Sequence, residues 1–328
     1  MFGVGGRWLL CATVALLAAT VPNAGVVRAD PAPAGHTLVV LGDSYAANPA
    51  CDAVIVKCVD PAKTGLASCL RGPTSWPLEL AARMRLEPGD VTNNSCSGST
   101  IDTGPTTANG EEVRGRDGYT LAQQTLNAAQ NGAFGSNTAV VAIQMGFNDS
   151  WPRDATLAPA ANLVFTCVFN VVQGCDENAV AEGRWPDPDS VNGAAYADRV
   201  RKVVDFVKYY APNAQVMLVG YPEVLAPNDT AWCFDALGIV RWVQPQARAM
   251  VEFWNRLQSA QRDAAALLQI GFVDVLEATA GHGLCSADPW YTDYLDPRNT
   301  LSGLPFHPTP PGDAAVAATV HSQITRTR

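Results

Sequence analysis

Thr37-Leu38-Val39-Val40-Leu41-Gly42-Asp43-Ser44-Tyr45 is the stretch on which the fold turns. An apolar run without polar alternation predicts a strand buried on both faces. Gly42, Asp43 and Ser44 end it with turn and helix-capping residues. The same grammar recurs downstream. Ala139 to Met145 carries Val140, Val141 and Ile143 and stops at Gly146. Val216-Met217-Leu218-Val219 stops at Gly220 and Pro222, and Phe272-Val273-Asp274-Val275 makes a fourth run. Helical patterns lie between and beyond them: Trp76–Arg85, Ala197–Tyr210, a long segment from near Pro245 through Ala264, and a last one after Gly312 through Val320. This alternation predicts a central, mainly parallel sheet covered by helices on both faces, a three-layer α/β/α domain. Ligands in such sheets bind beyond the carboxyl ends of the strands, so the residues after each strand carry the chemical interest.

With 48% apolar and 16% charged residues, the chain is rich enough in apolar side chains to exclude disorder. A net charge of −9 with no basic patch argues against a nucleic-acid partner. Residues 1–29 read as a cleaved export signal: a short start with Arg7, an apolar run from Trp8 to Val21, and Val27-Arg28-Ala29 at the cleavage position. Residues 30–328 then form a single domain, exported and without a membrane span, and a monomer is expected. Removal of Arg7 and Arg28 takes the net charge to −11.

Cys11 leaves with the signal, and the remaining eight cysteines favour a disulfide framework. Spacing alone cannot choose among the pairings, although Cys51 with Cys58 and Cys167 with Cys175 suit local staples. No Cys-x-x-Cys pair occurs, so disulfides are favoured and no metal is expected.

Gly42-Asp43-Ser44-Tyr45 and Gly146-Phe147-Asn148-Asp149 follow strands, Asn94-Ser95-Cys96-Ser97-Gly98-Ser99-Thr100 lies between them, and Phe306-His307-Pro308 precedes the last helix. Each alone reads as a turn, a cap or a structural histidine. Together, in this order, they resemble the SGNH hydrolase superfamily, the lipases and esterases also called GDSL enzymes. Ser68-Cys69-Leu70-Arg71, Gly220-Tyr221-Pro222 and Gly281-His282-Gly283-Leu284-Cys285 are similar to blocks of its secreted actinobacterial branch.

The resemblance implies a flavodoxin-like α/β/α fold and a cofactor-free serine esterase or lipase acting through an acyl-enzyme. Ser44 would be the nucleophile and His307 the general acid and base. The N–H groups of Ser44 and Gly98 and the Asn148 amide would form the oxyanion hole. It also implies the bridges Cys51–Cys58, Cys69–Cys96, Cys167–Cys175 and Cys233–Cys285.

One position departs from the family pattern. Leu304 stands where an aspartate usually orients the histidine, so the Leu304 carbonyl is expected to take that role, with Asp293 and Asp296 as rivals. This departure is what a secreted binding module with a vestigial site would show. The expected substrate is an ester of a lipid or an acylated carbohydrate; phospholipase or carbohydrate esterase activity fits the same core. The polar loops at 109–118 and 174–192 bear on that choice. Trp151, Trp290, Tyr291 and Tyr294 would line an acyl groove or close the core, and His282 is expected to be structural. Activity is expected to fall on the acid side near the ordinary histidine value of about 6.5.

Overall fold

The computed structural model describes residues 33–49, 51–52, 57–58, 69–103, 120–151, 160–236, 239–293 and 303–326. The expected export signal, the loop at 109–118, Tyr294 and Asp296 lie outside the described residues. In chain order the elements are β1 (Leu38–Gly42), α1 (Ser44–Ala47), β2 (Cys51–Asp52), β3 (Lys57–Cys58), α2 (Trp76–Arg83), β4 (Val91–Asn93), α3 (Leu121–Gln130) and β5 (Val140–Gln144). There follow α4 (Ala160–Phe169), α5 (Gly193–Tyr210), β6 (Gln215–Val219), β7 (Trp232–Ala236), β8 (Val240–Gln244), α6 (Arg248–Leu268), β9 (Gly271–Val273), α7 (Val275–Ala278) and α8 (Pro310–Arg326).

Five strands form one sheet in the order β4-β1-β5-β6-β9, every pair parallel. The first strand is therefore interior, beside the central β5, and the winding reverses between β1 and β5. That reversal opens a crevice at their carboxyl ends, where α/β sheets bind ligands.

Strand periodicity distributes the core. Val39, Leu41, Val141, Ile143 and Leu218 join one apolar cluster with residues of α3, α5 and α6. Their neighbours Leu38, Val40, Val140, Ala142 and Val219 join another with α2 and α8. β1, β5 and most of β6 are buried on both faces, which is why they read as continuous apolar runs.

Helix bounds differ from those expected: α2 stops at Arg83, and α8 starts at Pro310 and runs to Arg326. Asn192 caps α5 by accepting from the Ala195 N–H, so that helix starts at Gly193. The α6 helix starts at Arg248, past Pro245, and runs on to Leu268. The fourth apolar run of the sequence forms β9 and ends at Val273, because Asp274 caps α7 instead of extending the strand to Val275.

Apart from the main sheet, β7 and β8 pair as an antiparallel hairpin. Cys69–Cys96, Cys167–Cys175 and Cys233–Cys285 are joined. Cys51 and Cys58 stand opposite each other in the β2–β3 register, and their side chains lie outside the described residues. No described helix is long and apolar enough to cross a membrane.

Candidate active site

The chain leaves β1 at Gly42 and turns at once into α1, with Ser44 as its first residue. Gly42 is needed for closeness: a Cβ there would stand 2.6 Å from the Ala46 Cβ. Asp43 caps the turn, one carboxylate oxygen accepting from the Tyr45 N–H at 2.9 Å. Its other oxygen accepts from the Tyr221 hydroxyl at 2.5 Å. Burial pushes the Asp43 carboxyl up to about 7, against these two hydrogen bonds, which favour its charged form. Asp43 is a brace for the serine.

His307 arrives from the loop before α8, and its Nε2 lies 2.8 Å from Ser44 Oγ. The ring's other nitrogen, Nδ1, lies 2.9 Å from the Pro305 carbonyl. A carbonyl only accepts, so the proton sits on Nδ1 and Nε2 is free to accept from the serine. This corrects the expectation for Leu304. Its carbonyl accepts instead from the His307 backbone N–H at 3.1 Å and from the Thr292 hydroxyl.

The reason is a tight turn over 304–307, with proline at its second position and Phe306 at φ 61° in its third. That is the type II pattern, in which the first carbonyl closes the turn and the second is left to face elsewhere. A non-glycine residue in the left-handed region costs on the order of 1 kcal/mol. Two contacts hold it there: Phe306 N–H donates to Thr292 at 2.6 Å, and the Tyr45 hydroxyl donates to the Phe306 carbonyl at 3.2 Å. Asp293 turns a carboxylate oxygen to the Asp235 N–H, at 2.9 Å on the hairpin.

Two further ties lock the serine turn to the histidine loop. Asn48, closing α1, donates to the Pro308 carbonyl at 2.8 Å and to Asp313 at 2.6 Å. The Tyr45 ring lies 4.5 Å from the imidazole, centre to centre.

The remaining blocks meet at the ends of β4 and β5. Asn148 donates through Nδ2 to the Ser99 carbonyl at 2.9 Å, beside Gly98, whose φ of 80° suits glycine. The Gln124 amide pairs with both backbone groups of Gly42, at 2.8 and 2.9 Å, and donates to Ser99 Oγ at 3.0 Å. Buried Asp149 accepts from the Ile101 N–H at 2.9 Å and from the Thr103 hydroxyl at 3.1 Å. Arg199 bridges Asp149 to Asp102 and lies 4.5 Å over the Trp151 ring. Burial raises the Asp149 carboxyl, and Arg199 opposes that.

Ser44, Asn148 and His307 open on one cleft walled by Phe147, Phe165, Trp232, Trp254 and Phe306. Residues 40–315 match the model of the GDSL-like lipase/acylhydrolase family. The chain belongs to this family. This GDSL-like acylhydrolase is a carboxylic ester hydrolase. It is similar to Lipase 2 of Streptomyces coelicolor, 27% identical over 302 residues, covering 88% of this chain and 87% of the relative. Its fold is similar to that of an extracellular lipase from Streptomyces rimosus (TM-score 0.57, 21% identity), over 88% of this chain and 99% of that one. Phospholipase A1 from Streptomyces albidoflavus gives a TM-score of 0.55 at 22% identity, with the same coverages.

Sequence reasoning about this acylhydrolase missed Gln124, Arg199 and the bracing part of Asp149. The first two sit on helices amid polar neighbours and read as solvent-facing. Trp151 and Tyr291 close the core, Trp151 stacking on Tyr196 at 5.6 Å. His282 stacks on Trp290 at 3.5 Å and meets the Asp288 carbonyl at 2.8 Å, and it does not line the cleft.

Proposed function

We propose that this chain is a secreted esterase or lipase for apolar acyl esters, with Ser44 as nucleophile and His307 as its proton shuttle. The observation that carries the reading is the 2.8 Å contact between Ser44 Oγ and His307 Nε2 at the mouth of an apolar cleft. Ser44 passes its proton to Nε2 as Oγ attacks the acyl carbon. The imidazolium keeps its Nδ1–H on the Pro305 carbonyl, so orientation comes from a carbonyl dipole and not from a carboxylate. The N–H groups of Ser44 and Gly98 and the Asn148 amide meet the oxyanion. His307 then protonates the leaving alcohol, and water repeats the sequence to free the acid. Secretion is supported by the signal-like residues 1–29 and three disulfides.

Burial pushes His307 down to about 4, while the Pro305 carbonyl pulls weakly the other way. The working form is the neutral ring, so a lowered value preserves activity as pH falls. The acid limb of kcat/KM is expected near pH 4, not near the 6.5 of a solvated histidine. A midpoint at 6 or above, from initial rates between about pH 3 and 9, would show that the ring titrates as if in water.

The cleft has a volume of about 140 Å³. A cavity of roughly 150 Å³ takes up benzene, so an acyl chain of about six carbons fits. Phe147, Trp232 and Trp254 separate it from a void of about 10 Å³ backed by Leu225 and Met250. Rates on p-nitrophenyl esters from acetate to palmitate are expected to peak at medium length, and Trp232→Ala to move the peak to longer chains. A peak at acetate that Trp232→Ala leaves in place would remove the acyl assignment and favour a carbohydrate deacetylase.

A further inference from the structure

Single exposed apolar side chains are ordinary on protein surfaces, but a connected group beside a cleft is not. At the end of α4 and just after it, Phe165 and Phe169 are each 44% exposed and Val172 is 77% exposed. At the tip of the β7–β8 hairpin, Ile239 is 82% and Val240 60% exposed. Ring contacts join the two elements: Phe169 lies 5.8 Å from Phe234 and 6.2 Å from Trp242, centre to centre. Phe165 stacks on Phe169 at 6.3 Å, lies 5.9 Å from Phe306, and lines the cleft with it. A chain of ring contacts thus links the hairpin to the cleft wall where an acyl chain would lie.

This surface is also held rigid. The Cys167–Cys175 bridge spans Phe169 and Val172, and Cys233–Cys285 ties the hairpin back to the body. The Trp242 indole donates to the Val168 carbonyl at 3.3 Å, and the Gln244 amide to the Asn170 carbonyl at 2.7 Å. Exposure is therefore a fixed property of the face, which needs no refolding to meet a partner.

We propose that this face docks the enzyme on a neutral ester-lipid surface and hands acyl chains to the cleft through Phe165. The proposal rests on the acyl-ester reading above. Burying such side chains in lipid is favourable at about 25 cal/mol per Å² of apolar area. The net charge of −9 opposes approach to anionic lipid, so the partner is a neutral interface.

The test uses Ser44→Ala protein, which leaves lipid intact, floated with phosphatidylcholine vesicles or with vesicles half phosphatidylglycerol. Binding to the neutral vesicles is expected, at least tenfold weaker on the anionic ones. Adding Val172→Asp and Ile239→Asp is expected to weaken it at least tenfold. With Ser44 intact, that pair is expected to keep turnover of dissolved p-nitrophenyl butyrate within twofold and to lower hydrolysis of emulsified triacylglycerol at least tenfold. Equal emulsion rates, or no vesicle binding by the parent, would overturn the docking. So would sedimentation showing a dimer that the pair of substitutions splits, since the face would then bind a second copy. If the parent hydrolyses no ester at all, the catalytic reading fails while flotation still decides the docking.

Discussion

Ser44→Ala is expected to lower p-nitrophenyl butyrate turnover by on the order of 10⁴–10⁶, and His307→Ala by a similar factor, with the double variant no slower than either. The two side chains work as one device. Oγ without Nε2 is a protonated alcohol, and Nε2 without Oγ has no attacking atom to serve. Their single contact of 2.8 Å makes the losses overlap instead of adding. Steady-state rates after rigorous removal of contaminating hydrolases measure this, with melting curves to show that each variant is folded. Ser44 is half-buried at the head of a four-residue helix, and losing one hydroxyl there leaves the Asp43 cap intact. Multiplicative losses in the double variant would mean that His307 acts elsewhere than on Ser44.

Asn148→Ala is expected to lower kcat by about 10²–10³ while KM changes only a few fold. In the proposed mechanism the amide meets charge that exists only after attack, so its removal is expected to cost the transition state and spare substrate binding. Its Nδ2 also donates to the Ser99 carbonyl, beside Gly98. The truncation therefore loosens the neighbouring donor as well, which places the expectation toward the larger loss. Asn148→Asp separates the parts: it keeps the shape, sets an acceptor against the oxyanion, and should be slower than Asn148→Ala. A rise in KM with kcat unchanged would assign Asn148 to ground-state binding.

The parts of the fold that were legible in the sequence are those whose burial is two-sided. Val140, Val141 and Ile143 sit in a strand covered on both faces, and no other arrangement hides such a run. β4 was invisible because Val91–Asn93 is a three-residue edge strand with one buried side chain, that of a threonine. α3 was missed because its most consequential inward residue is Gln124, whose amide replaces backbone partners for Gly42. Ser44, Asn148 and His307 were found as blocks of a resemblance, and the structure brings them to one cleft. The group that orients His307 was placed one residue away. The choice between Leu304 and Pro305 depends on the positive φ of Phe306, and aromatic residues carry no pattern that announces one.

Ser44 and His307 are 263 positions apart, and the histidine loop feeds straight into α8, which covers one face of the sheet. Turnover is thus a clock that starts last. A refolding chain can recover its helical signal, and even most of its sheet, while every molecule remains catalytically silent. Closing so long a span has an entropic cost that the docked helix and ties such as Asn48–Pro308 repay. The return of esterase activity therefore counts finished molecules, and its lag behind the optical signal times the final docking.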